Sequence, residues 1–169
     1  KRKAIFTDKE GKLFEDNDER AIFFAKGVIE TVKKLNWAPD IIHVHGWMAS
    51  LLPLYLRTCY KDEPIFSESK IVTSIYNQGF EGNLPGDICK KVAFDGIEPS
   101  EITDLEQPNH MNLLKVAADH SDGIILASEN LPEEIKSYCE AYDKPVLPYV
   151  SPQETEEAYL KFYNDQLPD

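Results

Sequence analysis

The spacing of apolar residues predicts a long helix near the start of the chain. The pattern begins at Asp16 or Asn17, either of which can cap a helix, and it continues to residue 35. Lysines lie away from the apolar side, so the helix is amphipathic and is expected to pack on a sheet. The apolar residues that share this predicted face are Ala21, Phe24, Val28, Val32 and Leu35.

Three short apolar runs predict buried β-strands. They cover residues 41–44, 70–75 and 123–127 and are rich in β-branched residues. A helical pattern lies between each run and the next, which is typical of parallel strands joined by helices that cover the sheet. Residues 144–150 contain two prolines and are predicted to be extended.

Further helices are predicted between and after these strands, over residues 47–57, 87–92, 110–120, 132–142 and 153–164. The last begins after Ser151, Pro152 and Glu154, which together form an N-terminal capping signal. Most of residues 76–108 is rich in Gly and Pro and is predicted to be loop. The predicted fold class is therefore α/β, with a Rossmann-like parallel sheet between two layers of helices.

Charge and cysteine content narrow the function. The 169 residues include 18 Lys and Arg against 30 Asp and Glu, a formal charge of -12. This balance repels nucleic acid and anionic lipid, so neither is an expected partner. No apolar run approaches the roughly 20 residues that span a bilayer, and a cytoplasmic location is expected. Cys59, Cys89 and Cys139 form no C-x-x-C pair, so neither a disulfide framework nor a zinc site is predicted.

The carboxyl ends of the first two predicted strands carry the candidate site. In α/β proteins, ligands bind at such strand ends because polar groups from several loops meet in one crevice. His45 and Trp47 follow the first strand, and Tyr76 and Asn77 follow the second. We therefore expect these four side chains to surround one crevice.

Each of these residues also has a structural alternative. His43 and His45 point to the same face of a strand and could share a metal, but no third ligand lies nearby in sequence. We therefore predict no metal, and expect His43 to be hydrogen-bonded in or beside the core. Trp47 can stack on a sugar or nucleotide, or belong to the core. Tyr76 and Asn77 can bind a polar ligand or only shape a loop.

Two motifs lie at these strand ends. Residues 39–47 read PDIIHVHGW and residues 74–82 read SIYNQGFEG. Together with residues 16–24, 112–115 and 121–135, they resemble the bacterial glycogen synthase and plant starch synthase family. Its motifs are P-D, two hydrophobic residues and H-x-H-D-W-H, followed by T-x-H-N-L-x-Y-Q-G. The agreement of five segments in the same order gives the resemblance its weight.

The resemblance implies a fold of two Rossmann-like domains that face a cleft, of which this chain is an incomplete N-terminal domain. It also implies the transfer of glucose from ADP-glucose to the end of an α-1,4-glucan, with retention of configuration. ADP-glucose and α-glucan are therefore the expected ligands, and no cofactor is implied. The predicted substrate-binding residues are His45, Gly46, Trp47, Tyr76 and Asn77.

Departures from the family motifs argue against catalysis by this chain alone. Gly46 stands where the family has Asp, Met48 where it has His, and Tyr76 where the second motif has His. In the family, that Asp and the second motif's His line the donor-sugar pocket. A carboxylate there can stabilise positive charge at the anomeric carbon, which glycine cannot do. We therefore assign no catalytic residue, and a non-catalytic homologue that binds glucan or sugar nucleotide is the alternative function.

The expected domain boundaries follow from the same comparison. Residues 1–150 are expected to form a partial N-terminal domain, because nothing before Lys1 corresponds to the family's K-x-G-G-L turn and no second domain follows. Residues 151–169 resemble the family's last helix, which crosses back from the second domain, and are expected to pack on the first. A missing N-terminal segment or a partner chain is expected to complete the sheet.

Overall fold

The computed structural model describes residues 4–141 and 143–166. Short 3-10 helices occupy several of the connections, and no helix in this part of the chain is long and apolar enough to cross a membrane. The helices and strands follow one another as α1 (Asn17–Lys34), β1 (Ile41–His45), α2 (Leu51–Arg57), β2 (Lys70–Ile75), α3 (Ile88–Phe94), α4 (His110–Asp119), β3 (Gly123–Leu126), α5 (Glu133–Glu140), β4 (Val146–Leu147) and α6 (Thr155–Gln166).

The four strands form one parallel sheet in the order β1-β2-β3-β4. Ile41 pairs with Lys70 across β1 and β2, and Val72 pairs with Gly123 across β2 and β3. Strand β4 has only two residues because Pro145 and the proline after Leu147 flank it, and proline cannot donate to a strand ladder. The predicted parallel α/β sheet is confirmed.

Helices cover both faces of the sheet, and alternate residues of the strands point to opposite layers. Ile71 and Ile75 of β2 pack in the cores formed with α1, α2, α4 and α5. Val72, between them, packs on the other face against Ile125 and Phe162. The sheet therefore lies between two helical layers, and α6 forms the second one.

Helix α6 is held on the sheet by packing and by one polar contact. Phe162 is 7% exposed and lies so close to β3 that a Cβ on Gly123 would come within 3.0 Å of its ring. The hydroxyl of Tyr163 shares a 2.6 Å hydrogen bond with Nδ1 of His43. Before the helix, the Ser151 hydroxyl donates to the Glu154 carboxylate at 2.6 Å, and α6 begins at Thr155, two residues after the predicted start.

The buried face of α1 differs from the predicted one. Ala21, Ala25 and Ile29, one every four residues, are at most 1% exposed, and the two alanines let α1 approach α2 closely. Phe24 is 45% exposed and Leu35 is 68% exposed, so the predicted face was wrong at these two positions. These side chains instead line an open apolar groove of about 860 Å³ along α1.

Strand β1 is less buried than predicted. Val44 is buried, but the residues from Ile41 to His43 are half-buried and His45 is exposed. Within the described ranges β1 pairs only with β2, so its outer edge has no neighbouring strand. The predicted boundaries at Lys1, Tyr142 and Asp169 lie outside the described residues.

Candidate functional site

A pocket of about 410 Å³ opens at the carboxyl ends of β1 and β2. Four of the five predicted site residues meet in it. Strand β1 brings His45 and the turn after it, and β2 brings Tyr76, because parallel neighbours end at the same edge of the sheet. The residues that line the pocket are Phe6, His45, Gly46, Trp47, Met48, Tyr76, Gln78 and Gly79.

Asn77 is the predicted residue that does not line this pocket. Its backbone N–H donates to the Ser128 hydroxyl at 3.1 Å, which ties the end of β2 to the loop after β3. The side chain of Asn77 is exposed. In this position Asn77 shapes the loop, which was the structural alternative.

Gly46 has a backbone conformation that other residues avoid. Its φ is 74° and its ψ is 161°, in a region that is essentially restricted to glycine. This turn lets the chain leave β1 and enter a 3-10 helix over Trp47–Ala49, where the Ala49 N–H donates to the Gly46 carbonyl at 3.1 Å. Gly46 is therefore required by the backbone, and an aspartate could not replace it without strain.

Trp47 belongs to the core. It is 5% exposed, and its ring lies 4.9 Å between centroids from Phe6 on one side and 4.9 Å from Phe80 on the other. The tryptophan therefore forms the floor of the pocket and offers little free ring surface to a ligand. Of the two roles open to Trp47, the core role is the one observed.

Two hydrogen-bonded His–Tyr pairs lie together at the pocket, and one of them, His45 with Tyr76, belongs to its lining. Nδ1 of His45 shares a 2.9 Å hydrogen bond with the Tyr76 hydroxyl. Nε2 of His43 shares one of 2.7 Å with the Ser74 hydroxyl, and its Nδ1 is bonded to Tyr163. The rings of His43 and His45 lie 3.8 Å apart. Both ring nitrogens of His43 thus have partners, as predicted for a hydrogen-bonded histidine beside the core.

The site is uncharged at neutral pH. Burial, and to a smaller extent the nearby His45, lower the pKa of His43 to about 4. Burial also lowers the pKa of His45 and raises that of Tyr76, so the imidazoles and the phenol are neutral. Within residues 4–141 and 143–166, no group of three or more His, Cys, Asp or Glu side chains is placed to hold a metal. The pocket can offer a ligand neutral hydrogen-bonding groups and apolar surface.

Sequence reasoning missed part of the lining. Gln78 and Gly79 directly follow Asn77 in the same motif, so the motif could have indicated them. Gly79 must be small, because a Cβ there would lie 2.3 Å from the His110 ring. Phe6 gave no signal in the sequence. Phe6 lies near the start of the chain, and the Asn17 side-chain amide donates to the Phe6 backbone carbonyl at 2.8 Å.

A parallel α/β sheet between layers of helices, with a pocket at the carboxyl ends of its strands, defines a Rossmann-like domain. The family model for the starch synthase catalytic domain matches residues 1–144. The chain therefore belongs to the glycogen and starch synthase family, as the motifs predicted.

Individual relatives agree with this assignment. The chain is 37% identical over 138 residues to a glycogen synthase of Chlorobium limicola, covering 80% of this chain and 27% of the relative. It is 36% identical over 122 residues to a glycogen synthase of Clostridium perfringens, covering 72% of this chain and 25% of the relative. The chain thus spans about a quarter of the length of these relatives.

A solved structure shares the fold. The catalytic domain of starch synthase IV from Arabidopsis thaliana, bound to ADP and acarbose, matches with a TM-score of 0.60. The match covers 82% of this chain and 30% of that chain, at 15% sequence identity. At this identity the likeness shows the fold alone, which confirms the Rossmann-like prediction.

Proposed function

We propose that this chain is a glycogen- and starch-synthase-like glucosyltransferase domain that binds a glucosyl ligand but does not transfer glucose by itself. The proposal depends mainly on the presence of Gly46 where the family motif has an aspartate. The pocket has the size and the hydrogen-bonding groups for a sugar, yet the position expected to hold a carboxylate has a glycine in a glycine-only conformation.

The expected ligands are ADP-glucose and α-glucan. Support comes from the relatives named glycogen synthase and from the starch synthase structure that holds ADP and acarbose. The His45 ring, the Tyr76 hydroxyl and the Gln78 amide can bind sugar hydroxyls, while Phe6 and Met48 supply apolar surface. We place the ligand against these side chains.

The proposed lack of transfer has a chemical reason. A retaining glucosyl transfer develops positive charge at the anomeric carbon, and carboxylates stabilise such charge. The residues that line the pocket include no Asp or Glu. Tyr76 supplies a neutral hydroxyl that is already bonded to His45, where the family has a histidine.

The test compares transfer with binding. We expect the purified chain to transfer no labelled glucose from ADP-glucose to glycogen above a boiled control, and to be retarded by glycogen in affinity electrophoresis. Tyr76→Ala should weaken the binding, whereas Tyr60→Ala, a change of the same type outside the pocket, should not. Transfer above the control would refute the loss of catalysis, and binding of neither glycogen nor ADP-glucose would refute the whole proposal.

The double change Gly46→Asp with Tyr76→His separates two explanations of inactivity. We expect it to leave transfer at background, because no Lys or Arg side chain lines the pocket to neutralise a departing diphosphate. Transfer by this variant would show that the two substitutions alone had removed the activity. Transfer by the unchanged chain in a longer polypeptide would favour a glucosyltransferase that is completed by other domains.

Completion of the sheet is also part of this proposal. In the described part of the sheet β1 is an edge strand, the apolar groove along α1 reaches His45 at the end of β1, and Phe23 in the groove is 79% exposed. We propose that an N-terminal segment or a partner chain covers this surface. Sedimentation of the purified chain tests the partner-chain version, since Phe23→Glu should then dissociate the assembly. A cytoplasmic location remains a prediction.

A further inference from the structure

A chain of hydrogen bonds joins helix α6 to the pocket. The Tyr163 hydroxyl is 2.6 Å from Nδ1 of His43, and Nε2 of His43 is 2.7 Å from the Ser74 hydroxyl. At the pocket, the Tyr76 hydroxyl is 2.9 Å from Nδ1 of His45. The Ser74 hydroxyl also interacts with Tyr76 as a hydrogen-bonding group, which connects the two halves. These five side chains, which we call the relay, therefore link α6 with the pocket lining.

The strand geometry brings the relay together. His43 and His45 are two residues apart on β1, Ser74 and Tyr76 are two apart at the end of β2, and such residues share one face of a strand. Strands β1 and β2 are parallel neighbours, with His45 in register with Ser74. The rings of His43 and His45 are 3.8 Å apart. The relay thus lies on one face of the sheet, the face that α6 covers.

Ser74 determines which group donates at each step. Burial raises the pKa of Tyr76, and a hydrogen bond with Ser74 opposes this rise. A hydrogen bond that lowers the pKa of a phenol is one donated to the phenol oxygen, so Ser74 donates to Tyr76. A serine hydroxyl has only one proton to donate. Ser74 must therefore accept from the Nε2–H of His43, and Nδ1 of His43 must accept from the Tyr163 hydroxyl.

The same reasoning assigns the ring of His45. Tyr76 accepts from Ser74, so its own proton is donated to Nδ1 of His45. A neutral imidazole carries one N–H, which must then be at Nε2. Burial lowers the pKa of His45, which keeps the ring neutral. His45 therefore carries a hydrogen-bond donor at Nε2, and not an acceptor.

We propose that Tyr163 is a positioning residue for the pocket, which acts through the relay to hold His45 in the tautomer with its proton on Nε2. Because Tyr163 lies on α6, the relay is complete only when that helix is docked on the sheet. The docking of α6 thereby fixes the hydrogen-bonding character of His45, which lines the pocket. This inference goes beyond the proposed function, since it concerns the side chains of the pocket and holds for any ligand.

Imidazole ¹⁵N NMR tests the relay without a ligand. At about pH 7.5 both relay histidines are neutral, since burial lowers the pKa of each. We expect wild-type His45 to show the Nε2–H tautomer. Tyr163→Phe removes the hydroxyl and keeps the ring, so the Nδ1–H tautomer of His45 should become roughly two- to tenfold more populated, the effect of one lost hydrogen bond. Ser74→Ala should act on His45 in the same direction.

Tyr159→Phe is the matched control. Tyr159 is one turn earlier on α6, and its ring lies 5.8 Å from that of His43, but its hydroxyl is not part of the relay. We expect this change to leave the tautomer of His45 as in the wild type. His110 and His120 lie outside the relay and should keep their ring ¹⁵N shifts in every variant, so they serve as controls within each spectrum.

The outcomes are distinct from those of the binding and transfer assays. Urea unfolding confirms that each variant is folded, and Tyr163→Phe still tests the relay if Ser74→Ala, a change at a buried residue, prevents folding. An Nδ1–H tautomer of His45 in the wild type, or a tautomer that Tyr163→Phe leaves unchanged, would overturn this inference. An equal effect of Tyr159→Phe would also overturn it. Each of these results would leave the proposed function standing.

Discussion

Replacing Gly46 tests whether the backbone, rather than available space, keeps a carboxylate out of the pocket. A Cβ at Gly46 would meet no atom within 4 Å, so a side chain has room. The cost of Gly46→Ala is therefore conformational. A non-glycine residue at this φ and ψ costs on the order of 1–3 kcal/mol. Gly46→Asp should lose a similar amount, because the strain arises in the backbone common to both variants.

Gly27 provides the matched control. It also has no atom within 4 Å of an added Cβ, but it lies inside α1 with ordinary helical backbone. Gly27→Ala should stabilise the protein by roughly 0.5–1 kcal/mol, because alanine loses less entropy in a helix. Although both glycines have room for a Cβ, Gly46→Ala should lower the free energy of unfolding and Gly27→Ala should raise it.

Urea unfolding followed by circular dichroism measures both changes. A loss of about 2 kcal/mol should also lower the Tm by roughly 4–8 °C in a chain of this size. Unchanged stability of both Gly46→Ala and Gly46→Asp would show that the turn relaxes to a common conformation. The structural reason given for the missing carboxylate would then be wrong.

Two further changes test the packing and the histidine cluster. Gly86→Ala should lower the free energy of unfolding by roughly 1–3 kcal/mol more than Gly96→Ala. Both glycines have φ of 87°, but only at Gly86 would the Cβ meet an atom, the fully buried Asp18 carboxylate at 2.2 Å, which is paired with Lys91. Equal losses in urea unfolding would contradict the clash. His43 has its pKa lowered from 6.5 to about 4, so its contribution to stability is full above pH 6.5 and is lost as pH falls through 4. Between pH 7 and 5 the free energy of unfolding of the wild type should fall by on the order of 1 kcal/mol more than that of His43→Gln. If urea unfolding gave the two proteins the same dependence on pH, the lowered pKa of His43 would be contradicted.

The parallel sheet could be predicted because its strands have a strong local signal. Four of the six residues 70–75 are β-branched, the segment lies between helical patterns, and β2 has the predicted bounds. The burial of β1 could not be predicted in the same way. Burial depends on how many neighbours a strand has in the sheet, and the described part of the sheet leaves β1 at its edge.

The face of α1 shows why periodicity alone can mislead. Two rows of residues on this helix are compatible with a core, one of large side chains and one of small ones. The helix packs through the row that contains Ala21 and Ala25, both 0% exposed, because small side chains let two helices pack closely. Hydrophobicity alone predicts that the row of large side chains is buried. The sequence does not indicate which helix or strand each row will contact.

The candidate site was predictable where residues follow a strand directly. His45, Gly46, Trp47 and Tyr76 meet because β1 and β2 are adjacent and parallel. Phe6 comes from a segment distant in sequence, and only the folded chain brings it to the pocket. Its aromatic character is ordinary for a core or loop residue, so no local pattern distinguishes it.

Binding and catalysis make separate demands on this crevice. Transfer needs a group that stabilises positive charge at the sugar and cations that stabilise the departing diphosphate. The glycine-only turn at Gly46 works against the first, and the uncharged lining around Tyr76 lacks the second. A neutral glucan needs neither, since hydroxyl groups and aromatic rings suffice for it. Under the proposed function, the same two features that disfavour catalysis therefore leave a surface suited to an uncharged ligand.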